Sequence, residues 1–144
     1  MATVRHALAG FSADPAADLS SREVQERLSK SAIAAFFKLA QAWELRDEAS
    51  RRLLGGISNG MFYQLKHGRR KTLDQDKLTR ISLLIGIFKA LNILYSGKLA
   101  DSWVSLPNSN PVFAGEAPLA YMTRGGVPAL MRVRQLLDGR RGGR

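Results

Sequence analysis

The chain has no cysteine, so disulfides and thiolate metal sites are excluded. Histidine is nearly as scarce, at two residues, and His6 and His67 are far apart in sequence. The twelve acidic residues stand mostly at candidate helix starts, where the helix dipole accounts for them. Asp74 and Asp76 lack a nearby histidine or third carboxylate with which to hold a metal. Gly125-Gly126 precedes a candidate helix, but no phosphate-loop lysine or dinucleotide fingerprint accompanies it. A catalytic constellation is therefore not found, and the expectation is a protein that is no enzyme and uses neither metal nor cofactor. Long apolar runs are missing too. The longest, Leu83 to Phe88, is far shorter than the roughly 20 residues of a membrane span. The N-terminus has no sustained apolar core and carries Asp14 and Asp18, unlike a signal peptide. A cytoplasmic protein with no membrane partner is expected.

What is present is positive charge. Twenty-two Lys and Arg against twelve Asp and Glu leave a formal +10 over 144 residues. That favours an anionic partner, nucleic acid first, although an acidic protein surface fits the same number. Between Arg51 and Leu73 the basic residues are Arg51, Arg52, Lys66, Arg69, Arg70 and Lys71, with no carboxylate among them.

The same stretch has the layout of a helix-turn-helix. Asp47 to Leu54 forms a first helix, with Ala49 and Leu53 on one face. Gly55-Gly56 ends it, and Ser58 caps a second helix, Asn59 to Lys66. Phe62 and Leu65 turn inward at i,i+3 spacing. Asn59, Tyr63, Gln64 and Lys66 remain outside, where polar side chains meet base edges and phosphates. Ser58, Asn59, Tyr63, Gln64, Lys66, Arg69, Arg70 and Lys71 are thus the candidate DNA-binding residues. A basic solvated turn between two core helices is the plainer reading of the same pattern.

Around this element the chain divides into a flexible arm over 1–19, a helix-turn-helix domain over 20–97 and a distinct segment over 98–144. Ser20-x-x-Glu23 reads as a capping box opening a short helix that carries Val24 and Leu28. A second helix, about Ser31 to Trp43, presents Ile33, Phe36, Phe37, Ala40 and Trp43 on one core-facing stripe. Thr72-x-x-Gln75 reads as another capping box, opening the longest helix from about Leu73 to Tyr95. Ile85, Ile87 and Ile93 widen its apolar face, making it the central pillar or part of a subunit interface. Gly97 is placed as its C-cap.

From Gly97 onward stand four of the five prolines and seven of the thirteen glycines. Short helices with tight turns are expected at Leu99 to Leu106, Pro118 to Met122 and Val127 to Leu137, with Pro118 and Pro128 in first turns. A terminal Arg140-Arg141-Gly142-Gly143-Arg144 is expected to be too flexible and charged to pack.

Over about Ser31 to Arg144 the chain resembles the Xre/MbcA/ParS-type antitoxins, and most closely the Xre-like partners of RES-domain toxins. Trp43-x-Leu45, Leu53-Leu54-Gly55, Ile57-Ser58, Tyr63-x-x-Lys66-x-Gly68 and Leu78-x-x-Ile81 are similar to that family's helix-turn-helix. Trp103-Val104-x-Leu106-Pro107-Asn108, Phe113-x-Gly115-x-x-Pro118-Leu119 and Gly125 are similar to its toxin-binding domain. Gly60 departs from the pattern, since a better helix former is usual there.

The resemblance implies an all-α helical bundle with an N-terminal Xre-like helix-turn-helix and a small, mainly helical C-terminal toxin-binding domain. It implies a homodimer on the operator DNA of its own operon, and a cognate RES-domain toxin that degrades NAD. It places toxin binding at Trp103, Asn108, Phe113, Gly115, Met122, Arg140, Arg141 and Arg144. Trp103, Phe113 and Met122 also suit a local core, and the arginines a solvated tail. A stand-alone helix-turn-helix regulator, with the C-terminal part serving dimerisation or ligand sensing, remains open on the sequence.

Overall fold

A computed structural model describes residues 17–69 and 72–142. Residues 1–16 of the expected 1–19 arm, and Arg70, Lys71, Gly143 and Arg144, lie outside the described residues. Among those described there are six α-helices and one 3-10 turn, with no strand: α1 (Arg22–Ala42), α2 (Asp47–Leu53), α3 (Asn59–Lys66), α4 (Gln75–Leu94), α5 (Gly97–Ser102), a 3-10 turn (Trp103–Ser105) and α6 (Pro118–Arg141).

The two helices expected between residues 20 and 43 are one. Ser29 Oγ donates to Gln25 O and Ser31 Oγ to Leu28 O, so both hydroxyls are satisfied without breaking the ladder. The cap is Ser21, whose Oγ accepts from Val24 N–H, rather than Ser20. Ser20 is occupied elsewhere: its N–H and hydroxyl both donate to Asp18 Oδ1. Leu19, at the end of the expected arm, packs against the core, and its carbonyl accepts from Gln25.

Ser29 does a second job. Its buried Oγ accepts the N–H of Leu73, also buried, at 2.8 Å, pinning the α3–α4 connection to α1. That contact holds residues 72–73 out of the helix, so α4 starts at Gln75 with Asp74, not Thr72, as its cap. Burial pushes the Asp74 carboxyl up, but the Lys77 N–H and ammonium and the Arg80 charge outweigh it and hold it below its ordinary range. Ser29→Ala is expected to leave the Leu73 N–H buried and unpaired, at a cost of about 1–3 kcal/mol. Urea denaturation would read this, and a loss under about 0.5 kcal/mol would contradict the pinning role.

Helix α4 is the central pillar. It packs against α1 on one side and, over a longer contact, against α6 on another, while α5 crosses its C-terminal end. Leu84, Ile85, Gly86, Ile87 and Phe88 are consecutive and all buried, more than one full turn. Ile93, in contrast, is 63% exposed. The core is continuous from Ala32 on α1 through Phe88 on α4 to Leu137 on α6. Gly97 is not the cap of α4: Tyr95 ends that helix in extended conformation, and Gly97 opens α5.

The last two expected helices form one element bent at Gly126, whose φ of 65° and ψ of −151° are non-helical. The second part runs on past Leu137 to Arg141. Arg140 and Arg141 are therefore helical rather than tail. Arg140 Nη1 donates to Tyr95 Oη at 3.2 Å, and Arg141 pairs with Asp138.

Candidate functional site

Helices α2 and α3 are joined by capping chemistry at each step. Past α2, the N–H groups of Gly55 and Gly56 donate to Arg52 O and Arg51 O, with both glycines at positive φ. This is a Schellman closure, and it turns the chain sharply towards α3. Leu54 and Ile57 anchor the turn in the core, and Arg51 Nη1 donates to Ile57 O at 3.3 Å. Ser58 Oγ then accepts Met61 N–H at 3.1 Å and starts α3 at Asn59, as expected. The same closure ends α3, where Gly68 N–H donates to Leu65 O and Arg69 N–H to Gln64 O.

Phe62 and Leu65 are buried, as the spacing requires. Ser58, Asn59, Tyr63, Lys66 and Arg69 are exposed, and Gln64 is half-buried. The outer face is ordered by ring contacts. Tyr63, 51% exposed, stacks on His67 with centroids 4.2 Å apart, and Arg69 lies 5.7 Å over the Tyr63 ring. Lys66 Nζ reaches Asp47 at 3.5 Å, an exposed pair worth little by itself. The result is a small cationic, aromatic platform on one short helix, suited to phosphates and base edges.

Gly60 lies on this face, with open space where a Cβ would point apart from Ser58 Oγ at 4.0 Å. Nothing in the fold requires glycine there. Gly60→Ala is expected to raise stability by about 0.5–1 kcal/mol, read as a higher thermal midpoint. A lower midpoint would show a packing constraint on this face.

The second group of candidate residues surrounds a closed loop over 107–116. Asn108 Oδ1 accepts Asn110 N–H and Asn110 Oδ1 accepts Val112 N–H, both at 2.9 Å, which sets two successive side-chain turns. Asn108 N–H donates to Glu116 O and Gly115 N–H to Asn108 O, closing the loop at its neck. Gly115, at φ 86°, supplies the positive φ this closure needs. Phe113 is the plug, packed edge-on against Trp103 at 5.8 Å and Tyr121 at 5.5 Å.

Trp103, Phe113 and Met122 are buried within the protein, whereas Asn108 is half-buried and Gly115 exposed. The Trp–Pro–Asn and Phe-x-Gly-x-x-Pro spacing thus describes how one loop closes before Pro118 starts α6. Arg124 grips Glu116 at 2.8 and 3.2 Å and holds its carboxyl below the usual range, tying loop to helix. Asp74 and Asp76 are each used locally, by Lys77 and Arg80.

Several organising residues escaped sequence reading: Ser29, the Arg124–Glu116 fork, Arg80, and Arg134, whose guanidinium occupies the space a Cβ on Gly86 would need. Gly86, inside an apolar helix, was the available signal for Arg134, because such a glycine marks close approach.

Residues 90–143 match the antitoxin Xre/MbcA/ParS C-terminal toxin-binding domain, a match that begins inside α4. The chain is also 38% identical over 112 residues to the uncharacterized protein y4oB of Sinorhizobium fredii (strain NBRC 101917 / NGR234), covering 77% of this chain and 84% of that relative. No solved structure matches it. Residues 90–143 thus place the C-terminal part of the chain in the Xre/MbcA/ParS antitoxin family. That match supports an antitoxin of a toxin–antitoxin pair and implies a cognate toxin as the partner of this domain. Among the described residues no helix is long and apolar enough to cross a membrane.

Proposed function

We propose that this antitoxin neutralises a RES-domain, NAD-degrading toxin and represses its own operon, binding operator DNA as a homodimer through α2 and α3. The observation that carries the DNA half is the outward face of α3. Asn59, Tyr63, Lys66 and Arg69 stand exposed on a capped helix after a tight glycine turn, in a chain of formal charge +10. The RES assignment rests on the resemblance of residues 31–144 to the Xre-like partners of such toxins. The loop around Asn108 and Gly115, with Arg141, is the surface assigned to the toxin, and residues 20–97 are assigned to DNA.

Two measurements test this reading. Co-expression with the product of the adjacent reading frame is expected to yield a stable complex and to restore cellular NAD. Survival with normal NAD when that product is made alone would remove the toxin assignment. On operator DNA, Arg69→Ala is expected to weaken specific and random duplexes alike and to lower the salt slope by about 0.9. Asn59→Ala or Gln64→Ala is expected to lose about 1–3 kcal/mol of discrimination at particular base pairs instead. Equal losses on operator and random DNA for all three variants would remove the base-reading roles. A dimer is expected to span half-sites about 34 Å apart.

A further inference from the structure

Three arginines from three helices converge on one small cavity away from the outer face of α3. Arg80 of α4 is the most enclosed, with a side chain only 16% exposed. Its guanidinium lies against two glycines. A Cβ on Gly55 would meet Arg80 Nε at 3.3 Å, and one on Gly126 would meet Nη2 at 3.8 Å. Gly55 belongs to the turn between α2 and α3, and Gly126 is the bend of α6. One side chain therefore stands beside both the turn and the bend. Beside it opens a cavity of about 290 Å³, lined by Arg52, Arg80 and Arg124 with Thr123 and the glycines of the turn and the bend.

No carboxylate lines this cavity among the described residues. Asp76 takes Arg80 Nε at 2.9 Å, and its Oδ2 stands as near the Cβ position of Gly55 as that Nε does. Glu116 takes both terminal nitrogens of Arg124 at 2.8 and 3.2 Å, so Arg124 brings a guanidinium already paired and Arg80 its two terminal nitrogens. Among the described residues Arg52 pairs with no carboxylate, leaving its planar fork of donors available. The volume is at the lower end for small-molecule sites and suits an anionic group rather than a whole buried nucleotide.

We propose that this cavity binds a phosphoryl anion, phosphate or diphosphate, either free or carried on a nucleic-acid backbone. Arginine forks donate charge-assisted hydrogen bonds to such oxygens. An anion gripped by Arg52, Arg80 and Arg124 ties the helix-turn-helix turn to the bend of the toxin-binding helix. The site needs neither a particular toxin nor a particular operator.

The test uses the full chain with pyrophosphate, in sub-millimolar steps at constant ionic strength, and the double variant Arg52→Gln/Arg124→Gln. Pyrophosphate is expected to raise the thermal midpoint saturably, by on the order of 5 °C at ten times Kd, and the double variant to lose the rise. If the anion arrives on DNA instead, the double variant is expected to lower the salt slope of DNA binding by about one to two. Either result supports the site and identifies the source. Absence of both, or an equal pyrophosphate rise in the double variant, overturns it. Should the double variant fail to fold, Arg52→Gln alone is expected to weaken pyrophosphate binding about tenfold, and unchanged binding overturns the proposal. Asn59→Ala, by contrast, is expected to leave the pyrophosphate response intact, which separates this site from the reading face of α3.

Discussion

Replacing Phe113 by alanine is expected to destabilise the protein by about 3–5 kcal/mol, the range for a fully enclosed phenylalanine. The ring is 1% exposed and stands between Trp103 and Tyr121, so its removal empties the centre of the 107–116 loop. The surrounding atoms cannot close in freely. Asn108, Asn110 and Gly115 hold the loop backbone through four hydrogen bonds that do not involve the ring. Against a total stability on the order of 5–15 kcal/mol, such a loss leaves a substantial unfolded fraction. Urea unfolding would show a lower midpoint with little change in slope, and toxin binding would fall with the folded fraction. Phe113→Leu is expected to retain most of the stability. A loss under about 1 kcal/mol for the alanine variant would mean that the loop is held by its backbone alone.

The second large effect is expected from removing residues 98–144. Helices α1 to α4 precede that cut, yet they are not expected to fold alone. Helix α4 buries Leu84 through Phe88 around more than one full turn, a girdle that α1 cannot cover by itself. Helix α6 covers much of the rest, with Arg134 lying against Gly86 and Arg140 bonded to Tyr95. Uncovering three of those side chains, at roughly 1.5–3 kcal/mol each, removes about 5–9 kcal/mol, which is of the order of the whole stability. The fragment is expected to lack a cooperative transition and to bind an apolar dye. A fragment that unfolds cooperatively and still binds operator DNA would contradict the single-core account.

That continuity gives the antitoxin a physical link between its halves. The match to the toxin-binding domain begins at residue 90, inside α4, the helix that also packs against α1. Helix α6 packs against α4 and also against α2, and Arg80 of α4 stands beside Gly55.

Legibility in the sequence followed the range of the interactions. Helix α3 was readable to the residue, because Ser58, the Phe62–Leu65 face and the glycines on either side act within one or two turns. The bend of α6 was half-readable: Gly125-Gly126 and Pro128 mark a break, but not that both parts share one course across α4. Ser20 and Thr72 carry cap signatures but are not the caps, because Asp18 takes the Ser20 groups and Ser29 takes the Leu73 N–H. One of those partners is 44 residues away. The C-terminal arginines looked like tail from charge alone, and a single hydroxyl on Tyr95 gathers Arg140 into the fold.

By itself, then, the sequence determined an all-helical, strongly basic chain with a capped glycine turn, through local rules of capping, periodicity and composition. Only the tertiary structure decided that the Phe113 ring fills the centre of a closed loop, between Trp103 and Tyr121. Only there does Ser29 hold the entry to α4, and only there do three arginines spread over 73 positions, from Arg52 to Arg124, share one cavity. Each of these depends on groups brought together by chain closure around α4, and spacing along the chain carries no record of which distant groups will meet.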